Sequence, residues 1–168
     1  MKTLDQGPEG ATTLGQPPAR IPSMAAANPF VRLLLRSPLH ALLSGSLLLL
    51  TYTGRTSGRQ YTIPVTYVRE GDVVTVLTQH QWWKNVYSGA PVSVEIKRQR
   101  FAAHADAFSD AQPEIAAALA AHLCAHPSMA RVYHIPMDAA GQYDQAALQQ
   151  AARFLVLVRI RLAPAVVG

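Results

Sequence analysis

Residues 47–78 constrain the fold more than any other part of the chain, because they hold three strand-length runs with no space for a helix between them. Residues 47–53 are apolar and then rich in Thr and Tyr. Residues 61–69 carry Ile63, Val65 and Tyr67 at period two, and residues 73–78 follow the turn signal Glu70-Gly71-Asp72. Parallel neighbours need a crossover of about a dozen residues or more. The runs are therefore expected to pair antiparallel, as a meander of three strands.

Beyond the meander the period changes. In QWWKNVYSG, Trp82, Asn85 and Val86 fall at helical spacing, and Gly89 ends a short helix before Pro91. Val92, Val94 and Ile96 then alternate with Ser93, Glu95 and Lys97, and Phe101, Ala103 and Ala105 alternate with Ala102, His104 and Asp106. That stretch is too long for one straight strand, so a turn or bulge is expected at 98–100. Ser109 with Gln112 has capping-box spacing, and Ile115, Leu119 and Leu123 give the buried stripe of a helix ending near His126. Residues 127–143 read as loop with a turn of helix, and 145–153 as a short helix. A last strand holds Phe154, Val156, Val158 and Ile160. Antiparallel strands with helices at the margins predict an α+β barrel, since a doubly wound sheet needs a helix after each strand.

Residues 1–27 mix Gly, Pro, Thr and Gln without periodicity and read as a flexible tail ahead of a single domain over 28–168. No secretory signal is visible. NPFVRLLLRSPLHALLSGSLLLL resembles a membrane span, but Arg32, Arg36, Pro38 and His40 interrupt it and Gly45 stops it short. Arg32, Arg36 and His40, at i, i+4 and i+8, form one polar stripe of an amphipathic helix with Asn28 as its N-cap, which Pro38 would bend. Such a helix either packs on the sheet with its stripe in water or lies against a membrane or over a site. With 15 Lys and Arg against 10 Asp and Glu, the net charge of +5 points to an anionic partner: a phosphorylated ligand, a membrane or nucleic acid. Nucleic acid is the weakest of these, because no recognised motif organises the basic residues. The single Cys124 excludes an internal disulfide, fits a reducing cytoplasm, and reads as a small helix-packing residue.

Two groups of residues carry chemistry. Arg55, Thr56, Ser57 and Arg59, between Gly54 and Gly58, supply cations, hydroxyls and freed backbone amides in one turn, which suits phosphate or carboxylate oxygens. A solvated hairpin turn is the plainer reading. Trp82 and Asn85 share a helix face where an indole covers a planar ligand and an amide hydrogen-bonds to it; packing at the barrel end is the alternative. His80, His104, His122, His126 and His134 show no metal-ligand spacing with acidic partners, so no metal is expected. GxSxG, Walker and GxGxxG patterns are missing from the sequence, so hydrolase, P-loop and Rossmann readings lack support.

TGRTSG, then IPVTYVREGD, then WWKN followed by SGAPVSVEI resembles, in that order, the deazaflavin-dependent nitroreductase family of split β-barrel, FMN-binding-like proteins. The resemblance implies that Gly54, Arg55, Ser57 and Gly58, with Thr56 and Arg59, hold the phosphate and polyglutamate tail of coenzyme F-420. It also implies that Pro64 begins the ring-contacting strand, that Thr78 bonds near the ring or phosphate, and that Trp82 and Asn85 line the ring pocket. Thr56 stands where the family has a basic residue, Tyr61 stands where some members have arginine, and the loop after Thr78 is shorter. The implied activity is hydride transfer from the cofactor to an electrophile such as a quinone or nitroaromatic, walled by Tyr133, the Met129 region and the amphipathic helix, with no catalytic acid required. The alternatives are FMN on the same barrel and a cofactorless barrel for a lipid or apolar ligand. The long strand from Val92 is expected to contribute to a homodimer interface, and residues 28–45 to peripheral membrane contact.

Overall fold

A computed structural model describes residues 47–164, so the tail over 1–27 and the amphipathic helix over 28–45 lie outside the described residues. Seven strands form one antiparallel sheet among them: β1 (Leu47–Thr53), β2 (Gln60–Thr66), β3 (Val68–Glu70), β4 (Val73–Thr78), β5 (Ala90–Ile96), β6 (Gln99–Phe108) and β7 (Val156–Leu162). Their order across the sheet is β2-β1-β5-β6-β7-β4-β3. A 3-10 helix (Gln81–Asn85) links β4 to β5, and α1 (Gln112–Ala125), α2 (Met129–Val132) and α3 (Gln145–Ala152) lie between β6 and β7.

β2 and β3 sit at opposite edges of this order, yet only Tyr67 separates them in the chain. Neighbouring strands lie about 4.8 Å apart, so a flat sheet of this width would hold its edges about 29 Å apart. The two steps from Thr66 to Val68 span at most about 7 Å. The sheet must therefore curl until its edges approach, giving a half-barrel with a split between β2 and the part of β4 beyond β3.

Alternation fills the inside of the curl. Leu48, Leu50 and Tyr52 of β1, Val92, Val94 and Ile96 of β5, Val158, Ile160 and Leu162 of β7 and Val74 and Val76 of β4 are all buried in one cluster. β6 contributes Ala103, Ala105 and Ala107, small side chains that leave room for the opposing residues on a concave face. A second core forms on the outer face of β4 and β7, where Leu77 and Leu157 meet Ile115, Leu119 and Leu123 of α1 and Leu148 and Ala152 of α3. The stripe expected on α1 is buried at all three positions. Asp144 caps α3, its carboxylate accepting from Ala147 N–H at 2.7 Å.

Several expectations are corrected. The three-strand meander is broken, because the middle run divides at Tyr67; its first half pairs with β1 and its second with β4. β4 continues onto β7, a partner distant in sequence. The turn placed at 98–100 is the two-residue Lys97–Arg98 loop of the β5–β6 hairpin, both residues at positive φ (48° and 69°) where Asn-Gly is commoner. The capping box does not form: α1 is N-capped by Ala111 without a side-chain bond, and the Ser109 hydroxyl donates to Asp110 instead. Cys124 faces solvent rather than packing, since its position on α1 lies opposite the buried stripe.

Candidate functional site

The turn after β1 is closed by its own backbone. Gly54 N–H donates to Arg59 carbonyl at 2.8 Å, and Gly58 N–H to Gly54 carbonyl at 2.8 Å. Gly58 has φ of +64°, which an L residue adopts only with strain. Gly54 is needed for a different reason: a Cβ there would stand 2.6 Å from Ser57 Oγ and 2.8 Å from Tyr61 Cε2. Ser57 Oγ accepts from Arg59 N–H at 3.3 Å and lies 3.2 Å from Tyr61 Oη. Arg55, Thr56, Ser57, Gly58 and Arg59 are all exposed, so the turn presents two guanidinium groups and two hydroxyls to solvent on a tight backbone.

Two routes tie this turn to the 3-10 helix. Asn85 Oδ1 accepts from Arg55 N–H at 3.0 Å while Asn85 Nδ2 donates to Trp82 carbonyl at 3.0 Å. Arg55 Nη1 adds a bond to Lys84 carbonyl at 3.2 Å. The second route is aromatic. Tyr61 stacks on Tyr52 with centroids 5.7 Å apart, and Tyr52 on Trp82 at 6.0 Å. Burial, with Tyr61 adding to it, pushes the Tyr52 phenol above its usual range, so Tyr52 stays neutral within this stack.

At the split between β2 and β4 lies an open groove of about 580 Å³. Pro64, Thr78, Trp82 and Tyr133 line it, with Ile63 and Val65 of β2, an edge strand among the described residues. That volume lies within the usual range for small-molecule sites, about 300–1,000 Å³. Thr78 Oγ1 accepts from His80 N–H at 3.1 Å, which leaves the hydroxyl proton of Thr78 to donate elsewhere. Burial raises the pKa of Tyr133, so its phenol keeps the proton at neutral pH.

The residues singled out from the sequence thus separate into two groups. Pro64, Thr78, Trp82 and Tyr133 meet in the groove, although they come from β2, β4, the 3-10 helix and the end of α2. Gly54 to Arg59 form the turn beside it. Asn85 does not line the groove; both ends of its amide are engaged between the turn and Trp82. Sequence reasoning missed Tyr52 and Lys84, whose contributions are a ring in the stack and a backbone carbonyl. It also missed Val132 and His80 as lining residues. Nothing local marks them, because the groove exists only once β2 and β4 face each other. Among the described residues, no group of three or more His, Cys, Asp or Glu is placed to hold a metal ion.

A protein-family model described as F420H(2)-dependent quinone reductase matches residues 35–160. Among solved structures, a conserved hypothetical protein from Mycobacterium tuberculosis is 14% identical with a TM-score of 0.52, covering 76% of this chain and 81% of that one. The heme storage protein HutZ from Vibrio cholerae is 14% identical with a TM-score of 0.50, covering 72% and 84%. A structure of an F420-H2 dependent reductase, FDR-A, is 18% identical with a TM-score of 0.48, covering 69% and 94%. No curated protein is significantly similar. At these identities the first two likenesses speak for the fold alone.

Proposed function

The chain belongs to the F420H(2)-dependent quinone reductase family, and from that premise we propose that it delivers the hydride of reduced coenzyme F-420 to a quinone or nitroaromatic-like electrophile in the β2–β4 groove. The family makes the chain an F420-dependent oxidoreductase; the acceptor and the residues that hold each group are the proposal. The observation that carries it is the junction of a cationic turn and an apolar groove through the one short helix that bears Trp82 and Asn85.

The residues fit the group. A ligand with a charged phosphate and carboxylate tail and a planar tricyclic head needs donors at one end and apolar walls at the other. The exposed Arg55 and Arg59 guanidinium groups and the Thr56 and Ser57 hydroxyls supply the donors. Pro64, Ile63 and Trp82 supply walls. Bound and reduced, the cofactor supplies the hydride. The protein's share is to orient and to exclude water: Trp82 closes one side of the groove, and Tyr133 and Val132 cover another. The Thr78 hydroxyl and the protonated Tyr133 phenol each offer a hydrogen bond to a carbonyl or nitro oxygen, and Tyr133 Oη keeps its proton at neutral pH. Residues 28–45 are assigned to peripheral contact with an anionic membrane, supported by the Arg32, Arg36 and His40 spacing. Among the described residues no helix is long and apolar enough to cross a membrane.

The test is a fluorescence titration of the wild-type protein and Arg55→Ala with coenzyme F-420 and, in parallel, with FMN. Wild-type protein is expected to bind F-420 alone, and Arg55→Ala to bind it about tenfold to a hundredfold more weakly, as loss of a charged hydrogen-bond donor implies. Unchanged affinity in Arg55→Ala overturns the tail site. Binding of FMN alone transfers the reading to a flavin, and binding of neither leaves a barrel for an apolar ligand.

A further inference from the structure

The contacts around the site form a closed circuit. It runs from Arg55 N–H through the Asn85 side chain to Trp82, from Trp82 through Tyr52 to Tyr61, and from Tyr61 Oη back to Ser57 of the same turn. The turn and the groove wall are therefore not independent. Only one link of the circuit is directional at both ends. A primary amide has one acceptor face and one donor face. Here Oδ1 meets an N–H and Nδ2 meets a carbonyl, each at 3.0 Å, so a flipped amide would set like against like on both sides. The stacked rings, at 5.7 and 6.0 Å, permit sliding that hydrogen bonds do not. Arg55 and Asn85 are 30 residues apart, so the bond cannot be a by-product of local turn closure.

We infer that Asn85 is a positioning residue that couples the anion turn to the Trp82 wall, so that an anion on the turn sets the groove for the planar ligand. The inference rests on the cofactor reading above but differs from it in assigning Asn85 no direct contact with the ring. Anchoring an anion on Arg55 fixes the Arg55 amide. The amide fixes Asn85, and Asn85 fixes the carbonyl of the residue whose indole faces the groove. The reverse holds by linkage: a ring against Trp82 makes the turn a better anion site by the same factor. The tail of the cofactor would then contribute to head binding as well as to its own.

The experiment separates the two halves of the ligand. The affinity of a tail-less deazaflavin nucleoside is measured with and without saturating inorganic phosphate, in wild-type protein, Asn85→Ala and Asn85→Asp. In the wild type, phosphate is expected to tighten nucleoside binding about fivefold or more, the lower end of ordinary coupling between sites. In Asn85→Ala and Asn85→Asp the factor falls toward one, the remainder being what the Arg55–Lys84 bond and the aromatic stack carry, although each ligand alone still binds. Asn85→Asp keeps an acceptor for Arg55 N–H but offers no donor to Trp82, so it cuts the link while leaving the turn held. A wild-type factor of one, or an undiminished factor in Asn85→Ala, overturns the coupling. Equal proportional loss of nucleoside affinity with and without phosphate marks direct ring contact and also overturns it. If the wild type binds neither ligand, the cofactor reading fails, and the bridge is judged in the free protein by amide hydrogen exchange. Arg55 N–H should then exchange at least tenfold faster in Asn85→Ala than in wild type and Asn85→Asp, and equal rates refute the bridge.

Discussion

Gly54→Ala tests whether the turn is as tightly built as its contacts require. The new methyl would lie 2.6 Å from Ser57 Oγ and 2.8 Å from Tyr61 Cε2, where ordinary contact needs about 3.5 Å or more. Ser57 can rotate away, losing its bonds to Arg59 N–H and Tyr61 Oη. The Tyr61 ring cannot yield without leaving Tyr52, on which it stacks at 5.7 Å. Tyr61 is 39% exposed and so can swing outward, which limits the loss. One aromatic pair is worth about 0.5–1.5 kcal/mol and each of the two hydrogen bonds about 0.5–1.5 kcal/mol, an upper bound of about 1.5–4.5 kcal/mol that the exposure of Tyr61 and Ser57 lowers to about 1–3 kcal/mol, the usual range for overpacking. Gly58→Ala is the comparison: nothing among the described residues lies within 4 Å of its Cβ, and its cost comes from φ of +64°, about 1 kcal/mol. Urea unfolding at neutral pH measures both, and F-420 titration measures the site. Gly54→Ala should lose more stability than Gly58→Ala and at least tenfold in cofactor affinity. Adding Tyr61→Ala should cost less in the Gly54→Ala background than in wild type, because truncating the ring removes one side of the collision. If Gly54→Ala lies within about 0.5 kcal/mol of wild type, the magnitude of an ordinary surface change, and binds the cofactor normally, the crowding argument fails.

His122 is 1% exposed, neither ring nitrogen has a partner among the described residues, and burial, with His126 at 4.8 Å adding to it, lowers its pKa from 6.5 to about 4. Folding therefore excludes a proton that the unfolded chain accepts, so stability is full above about pH 6.5 and falls by about 3 kcal/mol as pH drops toward 4. Urea unfolding across that window should show the slope in wild type and lose it in His122→Leu; an unchanged slope assigns it to other groups. Replacing Lys97-Arg98 by Asn-Gly, which tolerates positive φ at both positions, should stabilise the hairpin by about 1 kcal/mol in thermal unfolding, and a loss would show that the cations contribute more than the strain costs. Leu119→Ala on α1, fully buried against the outer face of the sheet, should cost about 2–5 kcal/mol in urea unfolding, and a cost under 1 kcal/mol would show that the second core collapses around the gap.

The sequence was sufficient to determine antiparallel strands, the stripe of Ile115, Leu119 and Leu123, and the cationic turn at 54–59, because each depends on periodicity or on turn chemistry within a few residues. It also carried the ordered motifs that resemble the family, and the family model over residues 35–160 agrees. Tertiary structure decided what no window of sequence contains. Tyr67 reads as one more strand residue, yet it is where the chain leaves one edge of the sheet for the other, and the pairing of β4 with β7 depends on a strand about eighty residues away. The groove follows from that curl, since Pro64, Thr78, Trp82 and Tyr133 share it only because β2 and β4 face each other across the split. Asn85 shows the limit most clearly. Its spacing from Trp82 puts both on one short helix, but the direction of its amide is set by an N–H that arrives from β1's turn. A hydrogen bond needs a partner in place and not merely a residue type, and only the folded chain supplies the partner.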